Sequence, residues 1–539
     1  MKKSDLQRLI KLEDRIKEIV TDMGLKYVDV EFDVCSAQKM LEIMSYRLPT
    51  NISSWKFGRD YEKARTIYEN IDPGLPYEVV IHSDPARAYL MNNNTLAVQC
   101  LVVAHVYGHV NFFTENKYFT NSRYDMMGFM AEATKRFNQY EKRYGIEEVE
   151  RIVDAGHAIQ LHSSSFETET EEEKRERIFE QAKKEIHKKE DRSEYGDLSD
   201  SNTLRYRGDV DLINQRLWRE LKNRTPVEPT EDLLRYIIDN SSILEDWQKD
   251  ILETLRVEGQ YFWPIIKTKT MNEGWATLIH EKVMYQLFKE GLLDSQEHAQ
   301  FNYSNSLVKA KNRMGMNPYL IGSTMWRDIE SRWDKGQYGR EWKDCDDVVE
   351  KENWDTHNEG DGWEKCKSIM KSYTDWFFVQ DYLSVEVIDD IDLYLYQPVQ
   401  MHNRVDYIRT AHTADEVRQI IINSFAHSGI PKIEVIDGNM RNSGYLRLNH
   451  NWGGSNLEKK YTLETLAHIR SLWGRLIALE TRINDKKIIY VAKDEDEGMS
   501  KKDMEGIWKD FTSGNESTSG PSGTTGLTPL TTNNYVMLK

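Results

Sequence analysis

Two histidines, His105 and His109, stand four residues apart inside the apolar stretch Val102-Val103-Ala104-His105-Val106-Tyr107-Gly108-His109-Val110. On a helix this spacing sends both imidazoles out of one face, close enough to share one metal ion. It is the histidine spacing of the H-E-x-x-H zinc motif, but Val106 occupies the place of the glutamate that serves there as general base. The stretch therefore has the geometry for a metal without the usual base. Val98, Val102, His105, His109 and Phe112 fall on one stripe, so both rings are predicted to point inward. There an imidazole needs a metal, a carboxylate or another hydrogen-bonding partner, and satisfied core histidines are the competing reading.

A second stripe carries matching chemistry. Glu273, Ala276, His280, Val283 and Leu287 share one helical face, which sets a carboxylate and an imidazole two turns apart with a small residue between them. In zinc hydrolases with an H-x-x-x-H helix the third ligand often comes from a glutamate on a separate helix, the position Glu273 would take. Glu273-Gly274-Trp275-Ala276 is also similar to a motif of some helical zinc peptidase-like proteins. A third candidate is His157, with Asp154 one turn earlier to hold its ring, whereas His162 reads as a histidine at a helix end. The candidate ligands for zinc or another divalent metal are thus His105, His109, Glu273, His280 and His157. No catalytic residue is assigned. Glu115, Glu132 and Glu281 are open alternatives for the missing base, and nothing in their spacing selects one.

Other chemistries find no motif. The chain has no P-loop, no Gly-x-Gly-x-x-Gly after a strand and no nucleophile elbow, and Asn451-Trp452-Gly453-Gly454-Ser455 reads as a turn rather than a phosphate nest. A formal charge of −17 over 539 residues argues against nucleic acid and anionic membranes as partners. The four cysteines, with no Cys-x-x-Cys pair, fit reduced thiols in a cytoplasmic protein better than a disulfide framework. No apolar leader is visible after Met1. The most apolar run, near residues 97 to 113, reads as too interrupted by its histidines to span a membrane.

These residues need a scaffold that is mainly α. Apolar residues recur at helical spacing over 5 to 23, 233 to 240, 247 to 261 and around both histidine stripes. The stretch 167 to 194 is almost entirely charged and reads as a solvated helix or a mobile insertion. Residues 333 to 362 read as a long loop, and residues 373 to 396 show no clean period. Past residue 405 the pattern changes. Thr413 and Glu416 form a capping box before a helix, and strand-like runs at 432 to 436, 444 to 448, 476 to 481 and 487 to 492 flank a helix at 462 to 472. The expectation is a large helical domain, 1–405, with a gluzincin-like H-x-x-x-H helix, then a small α+β domain, 406–512, and a disordered tail, 513–539.

Several motifs in one order resemble the stage V sporulation protein R family, or SpoVR-like proteins. They are Trp55-Lys56-Phe57-Gly58, Ala88-Tyr89-Leu90-Met91, His105-x-x-Gly108-His109 with Phe112-Phe113, Asn272-Glu273-Gly274-Trp275-Ala276, Asn317-Pro318-Tyr319 with Arg327-Asp328-Ile329-Glu330, and Lys335-Gly336-Gln337-Tyr338-Gly339-Arg340-Glu341. The resemblance runs to about residue 495 and implies a role in sporulation and in the spore cortex, a peptidoglycan layer; it brings no settled reaction. Two readings follow from residues and resemblance together. One is a metal-dependent hydrolase acting on a peptide or amide bond of a wall-related substrate. The other is a non-catalytic regulatory or scaffold protein, with a protein partner, in which the histidine and glutamate cluster is structural.

Overall fold

The computed structural model describes residues 3–45, 78–163, 169–191, 200–313, 315–401, 404–410, 412–426, 428–440, 442–483, 486–493 and 535–537. The Trp55-Lys56-Phe57-Gly58 motif and most of the tail lie outside them. In chain order the elements are α1 (Lys3–Asp22), β1 (Val30–Cys35), α2 (Ala37–Ser45), β2 (Glu78–Ile81), β3 (Ala86–Met91), α3 (Leu96–Glu115), α4 (Met126–Tyr144) and α5 (Ile146–Ile159). Then come α6 (Glu171–Asp191), α7 (Asp200–Asn223), α8 (Leu233–Asn240), α9 (Asp246–Lys267), α10 (Lys269–Lys289), α11 (Ser295–Val308) and α12 (Pro318–Asp334). Short helices α13 (Gly339–Lys343) and α14 (Val348–Glu352) precede α15 (Asp361–Ser372), α16 (Asp375–Tyr382) and α17 (Val385–Asp390). The chain ends with β4 (Tyr396–Met401), β5 (Arg404–Arg409), α18 (Ala414–Phe425), β6 (Ile433–Met440), β7 (Tyr445–His450), α19 (Lys459–Trp473), β8 (Ile477–Ile483), β9 (Lys486–Ala492) and β10 (Tyr535–Met537). The protein is mainly α, with an α+β region near the C-terminus, as its periodicity predicted.

Two compact units emerge: residues 1–139 with 261–429, and residues 140–260 with 430–539. The sequence reading placed the boundary between its two folded domains at 405/406, because periodicity along the chain cannot show that the segment 140–260 folds with the C-terminal strands.

The first unit is built around α3. Its residues from Ala97 to Phe113 are buried on every face, which is why the helix carries almost no polar side chain besides Gln99, Asn111 and the two histidines. Contrary to the expectation from its sequence, α3 is long and apolar enough to cross a membrane, with a mean hydropathy of 1.4, but 94% of that window is buried inside the protein. It is a core helix. A three-stranded sheet of order β1-β3-β2 packs against it, β1 parallel and β2 antiparallel to β3.

Helix α10 lies between α3 and α12, and glycines let the three backbones close up. A Cβ at Gly108 would stand 2.7 Å from Ala276 Cα, and one at Gly322 would stand 2.1 Å from Thr270 O and 2.8 Å from Gly274 Cα. The space beside Ala276 is filled by the α3 backbone. Polar ties fix the register. Trp275 Nε1 donates to Asn111 Oδ1 at 2.9 Å, and Trp326 Nε1 donates to Met271 O at 3.0 Å. At the start of α10 the buried Asp375 carboxylate accepts from the backbone N–H groups of Thr270 and Met271, both at 2.8 Å, satisfying donors that a helix N-terminus leaves open. Residues 375 to 390, which had no clean period, form α16 and α17, and residues 396 to 409 pair as the two-stranded sheet β4-β5.

In the second unit, β6 and β7 form the expected antiparallel pair, although Asp437-Gly438-Asn439, expected as its turn, lies within β6 and the chain turns at 442–444; α19 carries the chain from β7 to the parallel neighbour β8. Strand β9 pairs antiparallel with β8. Thr413 and Glu416 make both bonds of the predicted capping box at the start of α18, in the first unit. The charged stretch after residue 170 is helical as α6. Within the tail expected to lack structure, Tyr535–Met537 pairs parallel to β9, and it is the tail's one run of large apolar residues.

Candidate metal centre

The structure brings together three of the five candidates. His105 and His109 leave α3 toward α10, where Glu273 meets them: its Oε2 lies 3.7 Å from His105 Nε2 and 3.4 Å from His109 Nε2. A fourth group completes the cluster. Glu78, the first residue of β2, places Oε1 3.3 Å from His105 Nε2, and ligand atoms of Glu78, His105 and His109 all lie within 4.8 Å of one another. Among the described residues this is the one group of three or more metal-binding side chains so close. Pairing with Leu90 of β3 holds Glu78 at the site. Nothing in the run Glu78-Val79-Val80-Ile81 marked Glu78 out, since it reads as one polar residue opening a strand.

His280 reaches the cluster but stands behind it. Its Nδ1 is 2.9 Å from His105 Nδ1, and its Nε2 is 3.0 Å from Asn305 Oδ1. It thus contacts a neighbouring ring on the side away from the carboxylates. His157 is a correction to the sequence reading. It belongs to the second unit, where its Nε2 is 3.7 Å from Glu258 Oε2, and it takes no part in the cluster. The helical argument for it tested one face only, and no second stripe meets that face with ligands. None of the three candidate bases reaches the cluster either. Glu115 pairs with Lys371, Glu281 pairs with Lys309 and Arg327, and Glu132 is exposed. Val106 is fully buried in the apolar core.

The electrostatics of the cluster favour cation capture. Burial works against charge on Glu273, yet the combined pull of His105 and His109 outweighs it and holds the carboxyl below the usual range. Burial also pushes the Glu78 carboxyl up to about 8, against the attraction of His109. His105 is lowered to about 3 by burial and by the neighbouring His109. His280 is also lowered to about 3 by burial, with Lys309 and Arg327 adding to the effect, so both rings are neutral near pH 7. For His109, burial is overcome by Glu273, Glu78 and Asn272, and its pKa is raised.

Near neutral pH burial leaves a proton on Glu78, and Glu273 favours one on His109, so the charge of the Glu273 carboxylate is offset by protons that a divalent cation could replace. His105 Nε2 and Glu273 Oε2 are both buried and neither has a hydrogen bond of good geometry. Buried polar atoms are normally paired, so these two, aimed at the same space, fit a bound ion. The two imidazole nitrogens and two carboxylates are a donor set suited to zinc and similar divalent ions.

The cluster opens into a pocket of about 640 Å³. Tyr319, at the first turn of α12, has its ring stacked 6.0 Å from that of His105; burial raises its pKa, with the charges of Glu273 and Glu78 adding to the effect, so it stays protonated. Met44, Leu101, Leu307 and Pro318 line the apolar side, and Lys269 and Lys311 contribute cationic groups.

A helical core that presents buried histidines and glutamates to an open pocket places the protein, by architecture, among mainly α proteins with a candidate metal centre. The family is settled by sequence comparison: the SpoVR like protein profile matches residues 3–430, and the SpoVR-like C-terminal domain matches residues 431–484. The chain belongs to the SpoVR-like family, and with that membership comes the family's association with sporulation. The uncharacterized protein YcgB of Escherichia coli (strain K12) is 29% identical over 477 residues, covering 85% of this chain and 88% of its own. No solved structure matches the chain.

Proposed function

We propose that this SpoVR-like protein binds one divalent metal ion, zinc being the best fit to its donors, through His105, His109 and Glu273, with the Glu78 carboxyl beside the ion rather than bound to it. We propose that it hydrolyses an amide bond in a wall-related peptide. The observation that carries this reading is the convergence of two imidazole nitrogens and two carboxylates, including two buried atoms without hydrogen-bond partners, with Glu78, His105 and Glu273 lining an open pocket. A zinc ion there would act as a Lewis acid toward a carbonyl oxygen.

The remaining roles fall to groups of the chain. Glu78, whose carboxyl titrates near neutrality because it is buried, can take up and return a proton beside the ligands, the task that Val106 cannot perform. The Tyr319 phenol, protonated and next to Glu273, can donate to negative charge that develops on the substrate. Lys269 and Lys311 favour a substrate that carries a carboxylate, as wall peptides do. The acidic composition and reduced-type cysteine usage favour a cytoplasmic setting for this activity.

The test follows amine release from peptidoglycan-type peptides by the purified full chain, in parallel with its zinc content. Turnover that disappears in Glu78→Gln, while zinc is retained, is the expected result. Stoichiometric zinc in the wild type with no turnover on any such peptide would leave the cluster a structural or regulatory one.

A further inference from the structure

His280 was a candidate ligand, and the geometry around it assigns a different task. Glu281 is acceptor-only when ionised, as its pairs with Lys309 at 2.6 Å and with Arg327 require. Asn305 Nδ2 donates to Glu281 Oε1 at 2.7 Å. That bond fixes which end of the Asn305 amide faces which neighbour, so the oxygen is left to face His280. Asn305 Oδ1 can only accept, so His280 Nε2, 3.0 Å away, carries the proton. In a neutral ring the other nitrogen, Nδ1, is then an acceptor. His105 Nδ1 lies 2.9 Å from it and must therefore be the donor. This leaves His105 Nε2 as a bare lone pair, and that is the atom facing Glu78 and Glu273.

We infer that the chain Glu281–Asn305–His280 is a positioning relay that fixes the Nδ1–H tautomer of His105, and that His280 is not itself a metal ligand. A histidine can offer a metal only the nitrogen that lacks a proton, and the partner of its other nitrogen decides which one that is. The arrangement has a counterpart at His109, whose Nδ1 lies 2.9 Å from Asn272 Oδ1, so its Nε2 also faces the carboxylates bare in the neutral ring. Asn272 is the residue before Glu273, so one turn of α10 supplies both a ligand and the group that orients another. The relay to His105 is longer. It starts on α10 at a carboxylate held by two cations, crosses to α11, returns to α10 and ends on α3, tying ligand geometry to the packing of three helices. Its functional consequence rests on the metal reading above; its proton arrangement does not.

The two can be tested apart. In metal-free full-length protein labelled with nitrogen-15 histidine, the ring-nitrogen shifts report the tautomer directly. His105 is expected as the Nδ1–H form and His280 as the Nε2–H form; His105 found as the Nε2–H form overturns the relay whether or not metal binds. Zinc competition against a chelator then reads the consequence. His280→Ala should weaken zinc binding by about 10- to 100-fold, the range for groups that orient ligands, and Asn305→Ala by about 10-fold, whereas His105→Ala should abolish it. If His280→Ala keeps its circular dichroism spectrum yet loses zinc as completely as His105→Ala, His280 is a ligand and the inference fails. A wild type that binds no zinc removes the metal reading and leaves the tautomer result to decide the relay.

Discussion

Both units set a histidine against a glutamate with a buried carboxylate oxygen: His105 and His109 against Glu273 in the first, His157 against Glu258 in the second. The pairs look alike along the chain, each a helical histidine with acidic residues in reach. They differ in what surrounds them. At Glu273 two imidazoles and a second carboxylate from a strand converge, each imidazole is held by a further side chain, and a pocket opens beside them. At Glu258 the histidine contact is His157, and among the described residues no group of three metal-binding side chains gathers there. A lone histidine and carboxylate make an ion pair or a hydrogen bond, and only the larger set has the count and the fixed tautomers of a ligand shell.

That contrast is most sharply tested by removing ligands. Glu273→Gln should weaken zinc binding by about 1,000-fold, which is about 4 kcal/mol, while His157→Ala leaves zinc affinity unchanged; a chelator competition measures both. Equal losses would erase the distinction between the two regions.

The next effect concerns another histidine of the first unit, His82, which sits in a box of Phe113, Phe119, Tyr124 and Tyr261. Burial lowers its pKa to about 4 from an ordinary 6.5. A folded-state pKa below the unfolded one means the contribution is complete above pH 6.5 and is lost as the pH falls toward 4, by up to about 3 kcal/mol. His82→Phe should therefore be less sensitive to acid: its Tm should fall less than that of wild type between pH 7 and pH 4.5. Parallel curves would contradict this.

Packing separates the units again. A Cβ at Gly322 meets backbone atoms of α10, whereas a Cβ at Gly156 meets the Leu255 side chain, which can rotate away. Gly322→Ala should cost about 3 kcal/mol in urea unfolding and Gly156→Ala about 1 kcal/mol, since only the first forces helices apart. The smallest effect is expected at the pocket: Lys269→Glu should raise KM for a carboxylate-bearing peptide several-fold, by about 1 kcal/mol, with kcat little changed.

How far the sequence could be read follows the same physics. The two stripes on α3 and α10 were legible because helical periodicity is local and both helices are long. Glu78 was not, because a carboxylate on a short strand acquires meaning only when the sheet delivers it to a helix 27 residues further on, as the pair Glu78 and His105 shows. Asn305 was invisible for the same reason, since its role depends on the two helices it bridges. The sheet that carries Glu78 was missed in part: Val30-Glu31-Phe32-Asp33-Val34 alternates over few residues, and its partner β3 lies more than fifty residues away. The compact α3 looked too interrupted for a long apolar helix because two histidines were counted as breaks, although in the fold both are buried along with the rest.

The central claim is that the cluster on α3, α10 and β2 is a metal centre, and titration of zinc into metal-free full-length protein by calorimetry tests it most directly. The account predicts one ion bound per chain, with proton release as His109 gives up its proton, and no binding by the His105→Ala, His109→Ala double variant. A folded wild type that takes up no zinc or other divalent ion, or a double variant that binds as the wild type does, would contradict it.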